Sequence, residues 1–347
     1  MTYSQFGSEE IQPPAPRKSH KKRNIFLLFS LFILVISVKN TNPVTDLVKV
    51  ISPNKNLISG VSGENNQILV VKIDDTKDAH PQIGLEDADL VYVEQVEAGL
   101  TRIAAIYSSK LPAKIGPVRS ARISDIELLA QFGRVGFAYS GAQTKMRPVI
   151  AAANLENLSA ERNPPSIYAK DPDRLGPVDM ILYPDKLLER ANAKAGTQID
   201  TLKIAPWSFG QAPSGETLTT VAKVKWPSAR YELRWDSVVN KWLIYFNGEA
   251  DLAASGVHLS ADTAIIQLVS ITPSIYGDKF GGVTPFSKTT GTGSAIMLRD
   301  GRSYNLTWQR DLPTDVTTWR SADGGVANFK PGKIWIFLTD IPPQIAP

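Results

Sequence analysis

Residues 90–107, LVYVEQVEAGLTRIAAIY, set the fold of the first half of the chain. Leu90 to Val96 and Ile103 to Tyr107 are apolar runs rich in β-branched and aromatic residues, which favour strands. Gly99 lies between them and permits a tight reversal of the backbone. The segment therefore predicts a β-hairpin, and the apolar run Ile68 to Ile73 before it predicts a third buried strand.

Helix and strand signals alternate from there up to residue 196. Apolar residues recur at three- to four-residue spacing from Ile123 to Phe132, which predicts a helix, and Ser120 or Ser124 is its candidate N-cap. Next come a predicted strand, a helix kinked near its proline and a helix with proline in its first turn: Val135 to Tyr139, Thr144 to Ala153 and Pro184 to Ala195. These signals predict a mixed α/β domain over residues 67–196.

The second half has a different pattern, which begins after a connection containing proline and glycine at residues 197–214. The predicted strands there are Tyr231 to Trp235, Trp242 to Phe246, Ala264 to Val269, Ala295 to Leu298, Tyr304 to Trp308 and Ile334 to Leu338. Asp300 and Gly301 lie between two of these runs and predict a hairpin, because a primed turn needs positive φ. We therefore predict an α+β fold, a layered sandwich of the mixed α/β part and a mainly antiparallel β part over residues 215–342.

The first 66 residues have the pattern of a membrane-targeting segment. Residues 1–24 are polar and end in a basic block at residues 17–23, which predicts a disordered cytoplasmic tail. Residues 25–38 are apolar except for two serines, and as a helix they would span about 21 Å. That length fits either a cleaved signal or a short membrane anchor, and the weak cleavage pattern favours the anchor. The basic block predicts an N-terminus inside and a body outside the cell, joined by a linker at residues 39–66.

Composition excludes several classes of function. The chain of 347 residues contains no cysteine, which rules out disulfides, a thiol nucleophile and a lipidated cysteine anchor. Residues 1–40 hold six Lys or Arg and two Glu, so residues 41–347 hold 32 positive and 32 negative side chains. A neutral body lacks the broad basic surface that binds phosphate backbones, and we expect no nucleic-acid partner.

Several motifs together resemble a known family. They are VVKIDD at residues 70–75, GPVRSAR at residues 116–122, RDG at residues 299–301 and PGKIWI at residues 331–336. With these motifs the chain resembles the YerB-like family of bacterial envelope proteins, a domain of unknown function, over about residues 60 to 340. The resemblance implies a two-part α+β layered sandwich, export across the membrane and association with the cell envelope, and it implies no established reaction.

Two departures from the family pattern bear on function. Similar proteins are often lipoproteins, whereas this chain has no cysteine to acylate, and any anchor must be the apolar helix. Family members tend to carry a His-Asn pair before Leu-Tyr, where this chain has Pro165-Ser166-Ile167-Tyr168. Chemistry that depends on that imidazole is therefore not expected here.

Three arginines form the candidate site for an anionic group. Arg119 and Arg122 lie near the predicted N-terminus of the first helix, and Arg102 approaches from the strand before it. Guanidinium groups beside unpaired helix amides attract a carboxylate or a phosphate. The carboxylates expected near them are Glu94, Glu97 and Asp74. The same arginines could instead pair with the protein's own carboxylates in a structural network, and both interpretations stay open.

We expect a membrane-tethered binding or accessory protein of the envelope, whose partner is a cell-wall polymer or an envelope protein. The alternative is a wall-active glycan hydrolase with two carboxylates as acid and base. Its candidate residues are Glu94, Glu97, Asp74 and Asp75. Asp74 and Asp75 are adjacent, so in a strand their side chains point to opposite faces. The histidines, His20, His80 and His258, lie far apart, and we expect neither a metal site nor a cofactor.

Overall fold

The computed structural model describes residues 54–277 and 281–347, which are mostly strands with three short α-helices. The helices are α1 (Ile123–Leu129), α2 (Arg147–Ala152) and α3 (Pro184–Ala193). The strands of the first half are β1 (Leu69–Asp74), β2 (Leu90–Gln95), β3 (Thr101–Tyr107), β4 (Val135–Ala138), β5 (Leu155–Asn157), β6 (Tyr168–Lys170) and β7 (Met180–Leu182). Short 3₁₀ turns at Glu97–Gly99, Ala130–Phe132 and Thr144–Met146 connect or extend these elements.

The second half contains strands throughout the part that the structure describes. They are β8 (Glu216–Leu218), β9 (Val221–Lys225), β10 (Arg230–Asp236), β11 (Lys241–Phe246), β12 (Glu249–Ala250), β13 (Ser260–Ala261), β14 (Thr263–Leu268), β15 (Ser270–Gly277), β16 (Val283–Lys288), β17 (Gly291–Arg299), β18 (Arg302–Arg310), β19 (Thr318–Ser321), β20 (Ile334–Thr339) and β21 (Gln344–Ala346). The β-rich character predicted for this half is confirmed.

One large sheet joins the two halves of the chain. Its eleven strands run in the order β19-β18-β17-β14-β20-β2-β3-β1-β4-β5, and β8 pairs with β18. The junction is the parallel pair of β2 and β20, in which Leu90 lies opposite Ile334. Residues 54–347 accordingly form one compact unit.

A smaller sheet covers one face of the large one. Its order is β12-β11-β10-β9-β21, and β13 pairs with β11. Because side chains alternate along a strand, Val71 and Ile73 of β1 point toward this sheet and pack with Leu233 of β10. Val70 and Tyr92 point the other way and pack against α1 through Leu128. The mixed α and β composition expected from the sequence is confirmed.

The hairpin of β15 and β16 lies over α1. The amide of Ser287 donates to the hydroxyl of Ser124 in α1 over 3.0 Å. Ser124 therefore anchors the hairpin, and Arg122 holds the N-cap position that we expected Ser120 or Ser124 to hold. The Asp125 carboxylate accepts from the Arg122 amide over 2.6 Å, which satisfies one of the free amides at the start of the helix.

The local turn chemistry of the second half follows the sequence. Asp300 and Gly301 have φ values of 54° and 69°, as a primed turn requires, and they join β17 to β18.

The last residues of the predicted linker at residues 39–66 pack into the folded body, since Asn56 and Ile58 are fully buried against it. Asn56 is held by polar contacts, including a 2.8 Å hydrogen bond to the Ser108 hydroxyl, that a composition-based linker signal does not reveal.

The predicted membrane segment at residues 25–38 lies outside the described residues. Within residues 54–277 and 281–347, none of the helices combines the length and apolarity needed to cross a bilayer.

Candidate functional site

A cluster of eight charged side chains lies between the large sheet and α1, and we call it the arginine cluster. Its members are Lys72, Asp74, Glu94, Glu97, Arg102, Arg119, Arg122 and Asp125. Strand register brings three of them together, because Arg102 of β3 lies opposite both Asp74 of β1 and Glu94 of β2. Opposite residues of antiparallel strands share one face, so all three project toward α1.

Asp74 serves two guanidinium groups. Its Oδ2 lies 2.6 Å from Nε of Arg119 and 3.8 Å from Nη2 of Arg102. Oδ1 accepts from the amide of Thr76 over 2.8 Å. Burial favours the neutral acid, but Arg102, the Thr76 amide and Arg119 together lower the pKa of Asp74 below its usual value. The carboxylate is therefore ionised, and a single negative charge is shared by two cations.

Arg122 has a carboxylate of its own. Its Nη2 and Nε lie 2.7 and 2.9 Å from Oε2 of Glu97. The hydroxyl of Thr284, from the β15–β16 hairpin, donates to the other Glu97 oxygen. Burial opposes ionisation, but Arg122 lowers the pKa of Glu97. This ion pair is complete and links the β2–β3 turn to α1 and the hairpin.

Glu94 pairs with a lysine that the sequence analysis did not single out. Nζ of Lys72 contacts Glu94 and lies 2.7 Å from Oδ1 of Asp125, and all three side chains are fully buried. Burial raises the pKa of Glu94 to about 7. Glu94 lies near the arginines as expected, but its ion pair is with Lys72. A lysine inside an apolar strand was the available signal, because an internal lysine must find a partner.

Arg102 is the least satisfied member of the cluster. It is 4% exposed, and its Nε and Nη1 have no hydrogen-bond partner within the described structure. Burial, with Arg122 acting in the same direction, lowers the pKa of Arg102 to about 10, so the guanidinium stays charged at neutral pH. Its charge is offset mainly by Asp74, which Arg119 also uses.

The arginine cluster opens into a cleft at Arg119. The cleft has a volume of about 980 Å³, and its lining includes Asp74, Asp78, His80, Arg119, Asp171 and Arg174. The Arg119 side chain is 29% exposed, and its ion pair with Asp74 is made through Nε. Arg174, in contrast, donates to the carbonyls of Ala79 and Pro81 and lies 3.4 Å from Asp171. Arg119 is therefore the cleft arginine whose terminal nitrogens are least engaged.

A second polar cluster lies on the opposite face of the same strands, and we call it the histidine cluster. Its members are Asp75, His80, Gln82, Thr101, Tyr231 and Asp251. Asp75 accepts from Tyr231 over 2.7 Å and from Thr101 over 2.5 Å. Asp74 and Asp75 thus reach opposite faces, which is the geometry expected for neighbours in a strand.

His80 lies between two carboxylates in this cluster. Its Nδ1 is 2.9 Å from Asp251 and its Nε2 is 3.2 Å from Asp75. Burial alone would lower the pKa of His80, but hydrogen bonds to Asp251 and Asp75 raise it to about 10. The ring also stacks on Phe246 with centroids 4.3 Å apart. The imidazolium therefore holds the small sheet, through Asp251 and Phe246, to the end of β1.

The structure brings together all six residues that the sequence analysis named for the anion site. Arg102, Arg119 and Asp74 form one group, and Arg122 and Glu97 form another. Glu94 belongs to the cluster through Lys72. Within residues 54–277 and 281–347, no group of three or more acidic, histidine or cysteine side chains is placed to hold a metal ion.

Comparison with known proteins supports the resemblance. A curated relative described as "Putative lipoprotein YerB" from Bacillus subtilis (strain 168) is 32% identical over 103 residues. The match covers 29% of this chain and 31% of that relative, so it spans about a third of the relative's length. The crystal structure of the YerB protein from Bacillus subtilis matches with a TM-score of 0.71 at 20% identity. It covers 85% of this chain and 100% of the solved chain, which establishes a shared fold.

Family models extend the match across both halves of the chain. Residues 58–198 match the N-terminal domain of the protein of unknown function DUF3048, and residues 222–336 match its C-terminal domain. The YerB-like resemblance seen in the sequence is confirmed. With both domains present in order, the chain belongs to the YerB-like, DUF3048 family of proteins of unknown function.

Proposed function

We propose that this chain is a membrane-tethered binding or accessory protein of the cell envelope that receives an anionic group at Arg119. The tether in this proposal is the apolar segment at residues 25–38, with the body outside the cell. The name of the curated relative, a putative lipoprotein, supports an envelope location. The ligand is an anionic group of a wall polymer or of a protein of wall synthesis.

The observation that carries the proposal is the shared carboxylate. Arg102 and Arg119 share the single negative charge of Asp74, so the guanidinium of Arg119 is only partly matched where it borders the cleft, which Asp78 and Asp173 also line. Elsewhere in the cluster two carboxylates, Glu94 and Asp125, share one cation, Lys72, and all three side chains are fully buried. Attraction for an anion is stronger beside a buried charge than in open water, because screening is weaker there.

The geometry favours binding over the hydrolase alternative. A general acid or base must reach the substrate, and each carboxylate considered for that role is already bound to the protein's own cations or hydroxyls. Glu94 has the raised pKa that a general acid needs, but it has no exposed surface. No specific contact in the described residues favours glycan cleavage.

Arg119→Ala tests the proposal directly. Full-length protein in detergent is mixed with purified wall polymer, and the bound fraction is measured by co-sedimentation. We expect binding to weaken about tenfold, the loss of one charge-assisted contact. We expect the melting temperature to change by less than about 3 °C, because the side chain is partly exposed.

Arg302→Ala is the matched control, because Arg302 is an exposed arginine on β18 outside the cleft. It should leave binding unchanged. A fall of many degrees in the Arg119→Ala variant with unaltered binding would assign Arg119 to structure alone. Mass spectrometry of the polymer after incubation addresses the alternative, and new glycan fragments would replace binding with hydrolysis.

A further inference from the structure

A second groove lies away from the Arg119 cleft and shares no lining residue with it. It has a volume of about 670 Å³ and runs between α3 and the segment at residues 156–167. Four cationic side chains line it: Arg162, Lys186, Arg190 and Lys194. None of the four makes an ion pair within 4.0 Å in the described structure.

The spacing of these cations follows from the helix. Lys186 and Arg190 are four residues apart on α3, so they share a face at a rise of about 6 Å. Lys194 follows at the C-cap of the helix, and Arg162 faces the groove from the other wall. A row longer than one helical turn exceeds the reach of a single phosphate or carboxylate.

The negative charge near the groove does not neutralise this row. Glu156 already binds Arg134 over 3.1 Å. Glu189 is the one other carboxylate in the described lining, and it makes no ion pair there. Two carboxylates therefore line the groove with four cations, and one of the two carboxylates, Glu156, is already paired with Arg134.

Helix stability explains only part of the pattern. Arg190 and Lys194 lie at the C-terminal end of α3, where positive charge stabilises the helix dipole. Lys186 lies in the first turn, where positive charge is unfavourable to the dipole. It rests 4.6 Å from the centroid of the Tyr183 ring, which keeps it beside the helix start. Thr197 adds a hydroxyl at the groove that is buried and has no hydrogen-bond partner in the described structure.

We propose that this groove binds a polyanion that carries several phosphate groups in a row. Lysine contributes point charges and arginine a planar fork, and both suit phosphate oxygens. The Thr197 hydroxyl supplies a donor for one more oxygen. This site is independent of the Arg119 cleft, so either proposal can fail without the other.

Lysine protection tests the site on the full-length chain. The protein is treated with an amine-acetylating reagent with and without sodium tripolyphosphate or a longer polyphosphate, and acetylation is read by mass spectrometry. We expect Lys186 and Lys194 to be protected several-fold while Lys288, exposed on β16, is not. Orthophosphate at the same phosphate concentration should protect less, because it spans one cation only. A local readout is needed because the basic block at residues 17–23 also attracts polyphosphate.

Charge reversal supplies the second arm of the test. Arg190→Glu should weaken polyphosphate binding about tenfold or more and so abolish protection of Lys186, with helix propensity nearly unchanged. Glu189→Gln should strengthen protection, and Arg302→Glu, with the same change in net charge, should have no effect. Equal protection of all three lysines, or protection that survives Arg190→Glu, would overturn the site. Protection by a glutamate-rich peptide but not by polyphosphate would overturn the phosphate assignment.

Discussion

The adjacent residues Asp74 and Asp75 belong to two different polar networks, on opposite faces of the central strands. Asp74 points to α1 and shares its charge between Arg102 and Arg119, at the mouth of a large cleft. Asp75 points to the small sheet, where it accepts from Tyr231 and Thr101 and lies beside His80. The first network leaves two cations sharing one carboxylate near an opening, and the second places one imidazolium between two carboxylates, with Oε1 of Gln82 and Oδ2 of Asp251 unpaired in the described structure. This difference is why we place the proposed anion site at Arg119, where two cations share one carboxylate beside an opening, and not at the histidine cluster.

The largest expected effect comes from Lys72→Met on the α1 face. The change leaves Glu94 and Asp125 buried without their cation, and we expect the free energy of unfolding to fall by about 3–5 kcal/mol. Urea unfolding of the full chain measures it. Lys110→Met is the control, since Lys110 pairs with Asp87 at the surface and should cost about 1 kcal/mol or less. Equal losses in the two variants would show that the buried pair is no more important than the exposed one.

A smaller loss is expected from Asp75→Asn on the other face. The amide keeps one acceptor oxygen but places an NH₂ group among the donors of Tyr231 and Thr101. We expect unfolding to become easier by about 1–3 kcal/mol. Asp340→Asn changes an exposed carboxylate and should be neutral. An unaltered urea midpoint in Asp75→Asn would contradict our assignment of the histidine cluster to holding the small sheet against β1.

The third expected effect is a pH dependence on the histidine face. The folded-state pKa of His80 is raised from 6.5 to about 10, so the stabilisation is fully present below about pH 6.5 and is lost as pH rises to about 10. One such group changes stability by at most about 1.4 kcal/mol per pH unit. Melting curves of the parent chain and His80→Gln from pH 6 to pH 10 measure the difference. Parallel curves for the two proteins would contradict the assignment of the charge to His80.

Most strands could be predicted because their signals are local. Alternating apolar residues and the Asp300-Gly301 turn depend on neighbouring residues only, and β17 and β18 formed as expected. The pairing of β2 with β20 depends on which distant strand fits between β2 and β14. Nothing in residues 90–95 or 334–339 alone identifies that neighbour.

The site was partly predictable for the same reason. Arg102, Arg119 and Arg122 stand in two short motifs, and their carboxylates come from adjacent strands. The sequence gives no sign of a cluster at His80, because no second histidine lies nearby along the chain. Its contacts are Asp251, 171 residues away, and Asp75, which also binds the distant Tyr231. Such a cluster exists only once the small sheet has packed on the large one.

The position of β20 governs the order in which this molecule can be completed. β20 enters between β14 and β2 and is parallel to both. Until residue 339 has been synthesised, β2 and β14 each keep an open edge that can pair with another chain. A product that stops short of residue 334 lacks the strand that joins both halves. Its β2 and β14 edges would stay unpaired, and we expect it to aggregate.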